Sequence, residues 1–224
     1  MKRSSKFILG IVVLLAIVAE PYLSYKLLPV VNGYQENTSW PNDGIDMVIP
    51  LSIGPKIGKA PNGDPILDIP GQPNHDWVYR EQYPHWWTGA AWVTSKKGIN
   101  GPNIKNLTVS EIRIVGNGDP RYDKLPVLDK TNNTRVIQGF MKPMQEQHFV
   151  TASQGGKSIG VELISPNIPG LILYTVVVVF PGKNDYVYTA TTSPNKPNPA
   201  IKMDSAFSNW LNQVQQAHSS SFIP

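Results

Sequence analysis

The side chains of this chain that could bind a metal are few and widely spaced. The four histidines are His75, His85, His148 and His218. Imidazole nitrogens, with nearby carboxylates such as Asp76 and Glu81, are potential ligands for copper or zinc. The histidines do not occur at the short spacings, such as H-x-H or HExxH, that place two ligands on one element. We therefore predict no metal site in this chain.

Motifs for nucleophilic catalysis and for nucleotide binding are also absent. The sequence contains no G-x-S-x-G turn, which would present a serine nucleophile. Gly155–Ser158 resembles the end of a phosphate-binding loop, but Thr151 occupies the position where such a loop requires its first glycine. The segment is better explained as a hairpin turn. The catalytic residues are unknown, and we expect no cofactor to be bound by this chain itself.

Arginine is the residue type here that could recognise a small oxyanion. A guanidinium group can donate two parallel hydrogen bonds to such an anion. Arg80, Arg113 and Arg121 are the candidate anion-binding residues, although surface ion pairs are the commoner use of arginine. Their spacing does not indicate whether they converge.

Aromatic residues are concentrated in one short segment. Four of the six tryptophans lie between residues 77 and 92. Such a cluster could be core packing, an interfacial belt near a membrane, or a docking surface for a partner subunit. We favour docking on a partner or packing close to a membrane over core packing, and the predicted docking residues are Trp77, Tyr83, Trp86, Trp87 and Trp92.

The N-terminal segment predicts export or membrane anchoring. Three positively charged side chains precede the apolar run Phe7–Ala19, a pattern that keeps the N-terminus in the cytoplasm. The run is short for a membrane-spanning helix, yet a signal-peptidase site would need a small residue where Ile17 stands. We expect residues 1–31 to be a retained anchor rather than a cleaved signal sequence. The chain is then a single-pass cell-membrane protein whose bulk lies outside the cytoplasm.

The overall composition excludes several functional classes. The chain has no cysteine, so disulfides, thiolate metal sites and iron–sulfur clusters are excluded. Its net charge of +4 is spread along the chain without a basic run, which does not favour nucleic-acid binding. The charged fraction of 16% is low, and a surface built from uncharged polar groups suits an acidic exterior.

Three glycosylation sequons agree with an exported surface. An asparagine followed two residues later by serine or threonine is a glycan acceptor in exported loops. The predicted acceptors are Asn37, Asn106 and Asn132.

The predicted fold is mainly β, an antiparallel β-sandwich preceded by a Pro-rich extended arm and followed by a C-terminal helix. We assign residues 1–31 to the anchor, 32–105 to the Pro/Trp-rich arm, 106–199 to the sandwich and 200–224 to the helix and tail. Short runs separated by turn residues predict the strands Leu107–Val115, Thr134–Phe140, His148–Thr151, Ser158–Leu163, Leu171–Phe180 and Tyr186–Thr192.

Two of these elements have the clearest patterns. The run Leu171–Phe180 is β-branched and continuously apolar, which predicts a central buried strand. Apolar residues at helical spacing after Asp204 predict a helix that Asp204 or Ser205 caps. Its predicted apolar face comprises Phe207, Trp210, Leu211 and Val214.

The N-terminal anchor, the cysteine-free outer β-domain and the low surface charge resemble the DoxA-like small subunit of archaeal thiosulfate:quinone oxidoreductase. The resemblance covers Leu107–Leu163, about a quarter of the chain, through Ser110–Gly116, Val136–Phe140 and Gly156–Leu163. It implies an accessory subunit with a multi-span membrane partner. In such a complex thiosulfate is oxidised and electrons pass to a quinone, but no catalytic motif is carried over.

Other assignments remain open. The layout is also similar to subunit II of haem–copper oxidases, and because the cysteines of that copper site are absent, only a copper-free subunit of a quinol oxidase fits. A non-enzymatic cell-surface or virion interaction protein would have the same leader, sequons and β-rich domain. We expect this chain to be at most a subunit of an oxidoreductase and not to be catalytic alone.

Overall fold

The structure is a computed structural model and describes residues 28–34, 45–81, 92–116, 125–151, 156–180, 185–188 and 199–218. The described residues form two antiparallel sheets and two α-helices, which confirms the prediction of a mainly β fold. The strands are β1 (Met47–Pro50), β2 (Lys56–Lys59), β3 (Pro65–Asp68), β4 (Trp77–Arg80), β5 (Trp92–Ser95), β6 (Glu111–Val115), β7 (Val127–Thr131), β8 (Phe149–Thr151), β9 (Lys157–Ile164), β10 (Leu171–Val179), β11 (Tyr186–Tyr188) and β12 (Pro199–Lys202). The helices are α1 (Thr134–Glu146) and α2 (Ser205–Ala217).

The main sheet is built around β10. Its strand order is β7-β6-β9-β10-β11-β12-β8, and β1 pairs with the first half of β10 on the edge that β11 occupies further along. Eight of the nine β10 residues are buried, because strands flank β10 on both edges and side chains cover both of its faces. The prediction of a central buried strand at Leu171–Phe180 is therefore confirmed.

The second sheet is a four-stranded antiparallel meander in the order β2-β3-β4-β5. Residues 28–34 hydrogen-bond to both of its edges: Val30 bridges to Lys59 on β2, and Tyr34 bridges to Lys96 directly after β5. Val31 and Tyr34 also pack against a small cluster formed by Ala60, Ile66 and Val78. The predicted Pro-rich arm thus contains this sheet as well as β1.

Both helices belong to one hydrophobic core with the two sheets. Phe140 of α1 and Phe207 of α2 are fully buried, with ring centroids 4.9 Å apart. The small sheet contributes Trp77 and Val93 to the same core. The side chain of Asp204 accepts a hydrogen bond from the Ala206 backbone N–H, so the predicted N-terminal cap of the C-terminal helix is confirmed.

One strand prediction is wrong. The segment Thr134–Phe140, predicted as a strand, is the first half of α1. The Asn133 side chain accepts a hydrogen bond from the Arg135 backbone N–H and caps this helix. The apolar residues continue at helical spacing beyond the predicted segment, and this periodicity outweighs the β-branched start. The buried residues on this face are Ile137, Phe140, Met141 and Met144.

No helix in the described part of the chain is long and apolar enough to cross a bilayer. The predicted anchor, residues 1–31, lies outside the described residues except for its last four positions.

Candidate functional site

One end of the small sheet brings together chain segments that are far apart in sequence. The Lys59 N–H donates to the Pro29 carbonyl at 3.0 Å, and Lys59 pairs with Pro65 on β3. The Glu81 N–H then donates to the Pro65 carbonyl at 3.1 Å, and the neighbouring Arg80 pairs with Trp92 on β5. We refer to this end as the Lys59 end of the small sheet.

Two predicted functional segments join the small sheet at its Lys59 end. The chain leaves the predicted anchor, residues 1–31, at the bridge between Val30 and Lys59. The connection from β4 to β5, residues 81–91, begins and ends at the same end of the sheet. Because neighbouring strands lie about 4.8 Å apart, four strand spacings separate Val30 from Trp92 by about 19 Å along the sheet.

Of the predicted aromatic docking residues, only Trp77 has a side chain that the structure describes. Tyr83, Trp86 and Trp87 fall within the connection from β4 to β5 and lie outside the described residues, as does the side chain of Trp92. Trp77 is 5% exposed and packs in the main core, so core packing explains this tryptophan.

A buried ion pair lies at the Lys59 end. The Arg80 Nε donates to Asp64 Oδ2 at 3.0 Å, and the two side chains are 9% and 7% exposed. Asp64 also accepts a hydrogen bond from the Asn62 side-chain amide at 2.9 Å, within a tight turn that contains Gly63. The charge of Arg80, predicted to bind an anion, is therefore matched by an internal carboxylate, as is common for buried arginine.

Arg113, the second predicted anion-binding residue, lies in a row of polar residues across the main sheet. Its Nε donates to Glu111 Oε1 at 2.6 Å, and its Nη1 lies 3.8 Å from Glu162 Oε2. Lys130 on β7 and Tyr174 on β10 occupy the same row, since Arg113 pairs with Lys130 and with Glu162, and Glu162 pairs with Tyr174. The guanidinium group thus lies between two carboxylates. Arg121 lies outside the described residues.

The opposite end of the small sheet carries an oriented histidine. His75 Nδ1 lies 2.7 Å from Asp68 Oδ1, and the His75 side chain is 48% exposed. A carboxylate at one ring nitrogen fixes the orientation of an imidazole and leaves the other nitrogen for a proton or a ligand. We refer to this end as the His75 end.

The backbone around His75 is held in an unusual conformation. Asn74 and His75 both have positive φ angles, 51° and 53°, which non-glycine residues adopt at an energetic cost. Tyr34 donates from its hydroxyl to the His75 carbonyl at 2.7 Å, and the Lys96 ammonium donates to the Asn74 carbonyl. Burial raises the pKa of Tyr34, with smaller contributions from the negative charges of Asp76 and Asp68. These contacts hold the turn against the segment 28–34.

Metal binding finds no support among the described residues, where no group of three potential ligands is close enough to hold an ion. His148 is largely exposed and lies 3.8 Å from Glu146, and His218 follows the end of α2. His85 lies outside the described residues.

Two of the three predicted glycan acceptors are placed by the structure. Asn106 ends a short 3-10 turn and Asn132 precedes the cap of α1, and both are exposed. Asn37 lies outside the described residues.

The sequence analysis did not predict the polar contact at either end of the small sheet. The partners Asp64 and Arg80 are sixteen residues apart and His75 and Asp68 seven, and both contacts depend on how the strands pair. The Asn62-Gly63-Asp64 turn was the one local signal, because Asn-Gly marks a tight connection between strands.

No protein-family model matches this chain, and no curated protein or solved structure is detectably similar to it.

Proposed function

We propose that this chain is an outward-facing accessory subunit of a membrane oxidoreductase complex, tethered by an N-terminal helix within residues 1–31. In this proposal the Lys59 end of the small sheet faces the membrane, and the aromatic connection between β4 and β5 docks on a multi-span partner subunit. The observation that carries the proposal is the row of backbone contacts from Pro29 to Trp92. It brings the exit of the predicted anchor and both ends of the tryptophan-rich connection to one end of the sheet.

Physical arguments support this orientation. A chain that leaves a bilayer at residue 31 keeps the Lys59 end within a few strand spacings of the headgroups. Tryptophan and tyrosine are the residues enriched at membrane interfaces and at the centres of protein interfaces. Tyr83, Trp86 and Trp87 belong to a connection that starts at this end, which suits either a partner's membrane-proximal surface or the interface itself.

The proposed reaction of the complex is thiosulfate oxidation coupled to quinone reduction, as the resemblance implies. Arg80 and Arg113 each contact an internal carboxylate. Their charges are thus already compensated, so we propose that the partner supplies most of the charge that binds the oxyanion. Quinone is likewise proposed to bind in the complex and not to this chain alone.

We also propose a finer description of the fold: a sandwich-type packing of two sheets outside the membrane, with one N-terminal spanning helix. The contribution of Trp77 and Val93 to the core of the main sheet supports the packing of the two sheets.

The first test is a pull-down of the full-length chain from native membranes in a mild detergent, followed by mass spectrometry and a thiosulfate-dependent quinone-reduction assay. Co-purification of a multi-span subunit with activity is the expected result. A second copy of this chain, or no partner, would favour the cell-surface or virion module, for which the exposed Asn106 and Asn132 provide some support. Quinol oxidation without thiosulfate activity would favour the copper-free subunit of a quinol oxidase.

The docking surface is tested with Trp86→Ala and Trp87→Ala. We expect each single variant to bind the partner less well and the double variant to lose it, while the domain stays folded. The matched control is Trp210→Phe, because Trp210 lies on α2, in the helical layer of the main sheet. Unchanged co-purification of the double variant would show that the aromatic connection does not dock the partner.

A further inference from the structure

Asp185 is a buried carboxyl group at the start of β11. It is 1% exposed, and its backbone carbonyl accepts a hydrogen bond from the Met203 N–H at 2.9 Å. This contact joins the hairpin of β10 and β11, at Asp185, to the segment that leads from β12 into α2. Asp185 belongs neither to the Lys59 end nor to the His75 end, so it has no place in the proposed function.

One oxygen of the Asp185 carboxyl group lacks, among the described residues, the hydrogen-bond partner that an ionised form needs. In the described part of the chain, Asp185 Oδ2 and the Ser208 hydroxyl of α2 are both buried without a hydrogen-bond partner. Burial raises the pKa of Asp185, and the nearby Ser208 hydroxyl offsets part of that rise, although its geometry is not that of a formed hydrogen bond. Desolvation of this kind disfavours a carboxylate and favours the neutral acid.

The adjoining elements supply little compensating charge. The helix α2, Ser205–Ala217, contains no ionisable side chain. The charged residues next to Asp185 at the end of β12 and at the helix cap are Lys202 and Asp204, and both are exposed. Lys183 lies outside the described residues, and the charged side chains of α1, Arg135, Lys142 and Glu146, are exposed to solvent.

We propose that Asp185 is a proton-binding latch, which in its neutral form holds the β10–β11 hairpin against the start of α2. The contribution of Asp185 to the stability of the domain is then larger in acid than at neutral pH. Ionisation leaves a buried charge between these two elements. Separating the elements exposes this charge to water and so lowers its free energy. The proposal is independent of the partner and of the reaction.

The direction of the pH effect follows from linkage. In the unfolded chain Asp185 titrates near the ordinary value for aspartate, about 3.9. The raised pKa in the folded state means that the folded protein binds the proton more tightly than the unfolded chain. The contribution of Asp185 to stability is therefore fully present below about pH 4. It decreases as the pH rises towards the folded-state pKa, and in that window Asp185 increases the unfolding equilibrium constant by at most about tenfold per pH unit.

The test is chemical denaturation of the full-length chain and of Asp185→Asn in detergent, from about pH 4 to about pH 7. The amide cannot ionise, so above about pH 4 the unfolding equilibrium constant of the variant is expected to rise less steeply with pH than that of the wild type. Glu146→Gln is the matched control, because Glu146 is an exposed acid on α1, and its profile should run parallel to that of the wild type. A variant Asp185→Asn with the wild-type slope would overturn the proposal.

A second measurement keeps the proposal testable if Asp185→Asn does not fold. The side-chain carboxyl carbon of Asp185 can be titrated by NMR in the wild-type chain, with assignment from Ser208→Ala. A midpoint above the ordinary aspartate range is the expected result. A midpoint at or below that range would overturn the latch, whatever the behaviour of the variant.

Discussion

The buried pair of Arg80 and Asp64 gives the sharpest test of how the small sheet is held together. Arg80→Met removes the guanidinium group that donates to the Asp64 carboxylate, which is only 7% exposed. Breaking one side of a buried ion pair costs about 3–5 kcal/mol, because the remaining charge is buried and uncompensated. Asn62 continues to donate to Asp64, so we expect the free energy of unfolding to fall by about 3 kcal/mol, the lower end of this range.

The double variant Asp64→Leu with Arg80→Met distinguishes two free energies. One is the cost of burying a single unpaired charge, and the other is the net contribution of the ion pair to stability. Replacement of both partners by apolar side chains of similar size is often close to neutral. We therefore expect the double variant to recover most of the stability lost by Arg80→Met. The assay is urea denaturation of the full-length chain followed by tryptophan fluorescence, with Arg80→Met, Asp64→Leu and the double variant in one double-mutant cycle.

The outcome also bears on anion binding. A loss below about 1 kcal/mol for Arg80→Met, together with no coupling in the cycle, would refute the argument that this pair is a buried structural contact. Arg80 would then be available for the oxyanion role that the sequence suggested, and loss of thiosulfate activity with the complex intact would identify that role.

Three further substitutions probe the packing and are checked by the same denaturation assay. Phe207→Ala should cost about 3–5 kcal/mol, because a fully buried ring that packs against Phe140 is lost; a cost below about 1 kcal/mol would contradict this packing. Gly160→Val should cost about 1–3 kcal/mol, because a Cβ there would lie 2.7 Å from Val115 Cγ2 and 2.8 Å from the Tyr174 hydroxyl; a neutral effect would mean that this face repacks. Trp210→Phe should cost about 1 kcal/mol through loss of the 3.1 Å hydrogen bond from the indole to Asp129, and an unchanged midpoint would show that water replaces it.

Elements with one consistent local pattern could be predicted from the sequence. The strand β10 is apolar and β-branched along its length, and this composition suits a strand buried on both faces. The helix α2 has a capping aspartate followed by apolar residues at helical spacing, and Phe207, Leu211 and Val214 are buried as expected.

Elements whose local signals conflict could not be assigned reliably. In α1 the β-branched residues Val136 and Ile137 and the helix-breaking Gly139 favoured a strand, whereas the buried positions follow a helical period. Strand β7, Val127–Thr131, was not predicted, because a sequence of mixed polarity at a sheet edge carries little alternation. Packing against α2 stabilises α1 as a helix, and pairing with β6 stabilises β7 as a strand.

The sequence by itself determined the absence of thiol chemistry, the apolar composition of Phe7–Ala19, the mainly β character and the concentration of aromatic residues. Only the tertiary structure decided that Arg80 contacts Asp64, that His75 contacts Asp68 and that Asp185 is buried. The physical reason is that composition and periodicity act over a few residues, whereas these contacts arise when strands and helices distant in sequence are brought together. The ionisable side chains then acquire partners, or lose water, that no local pattern encodes.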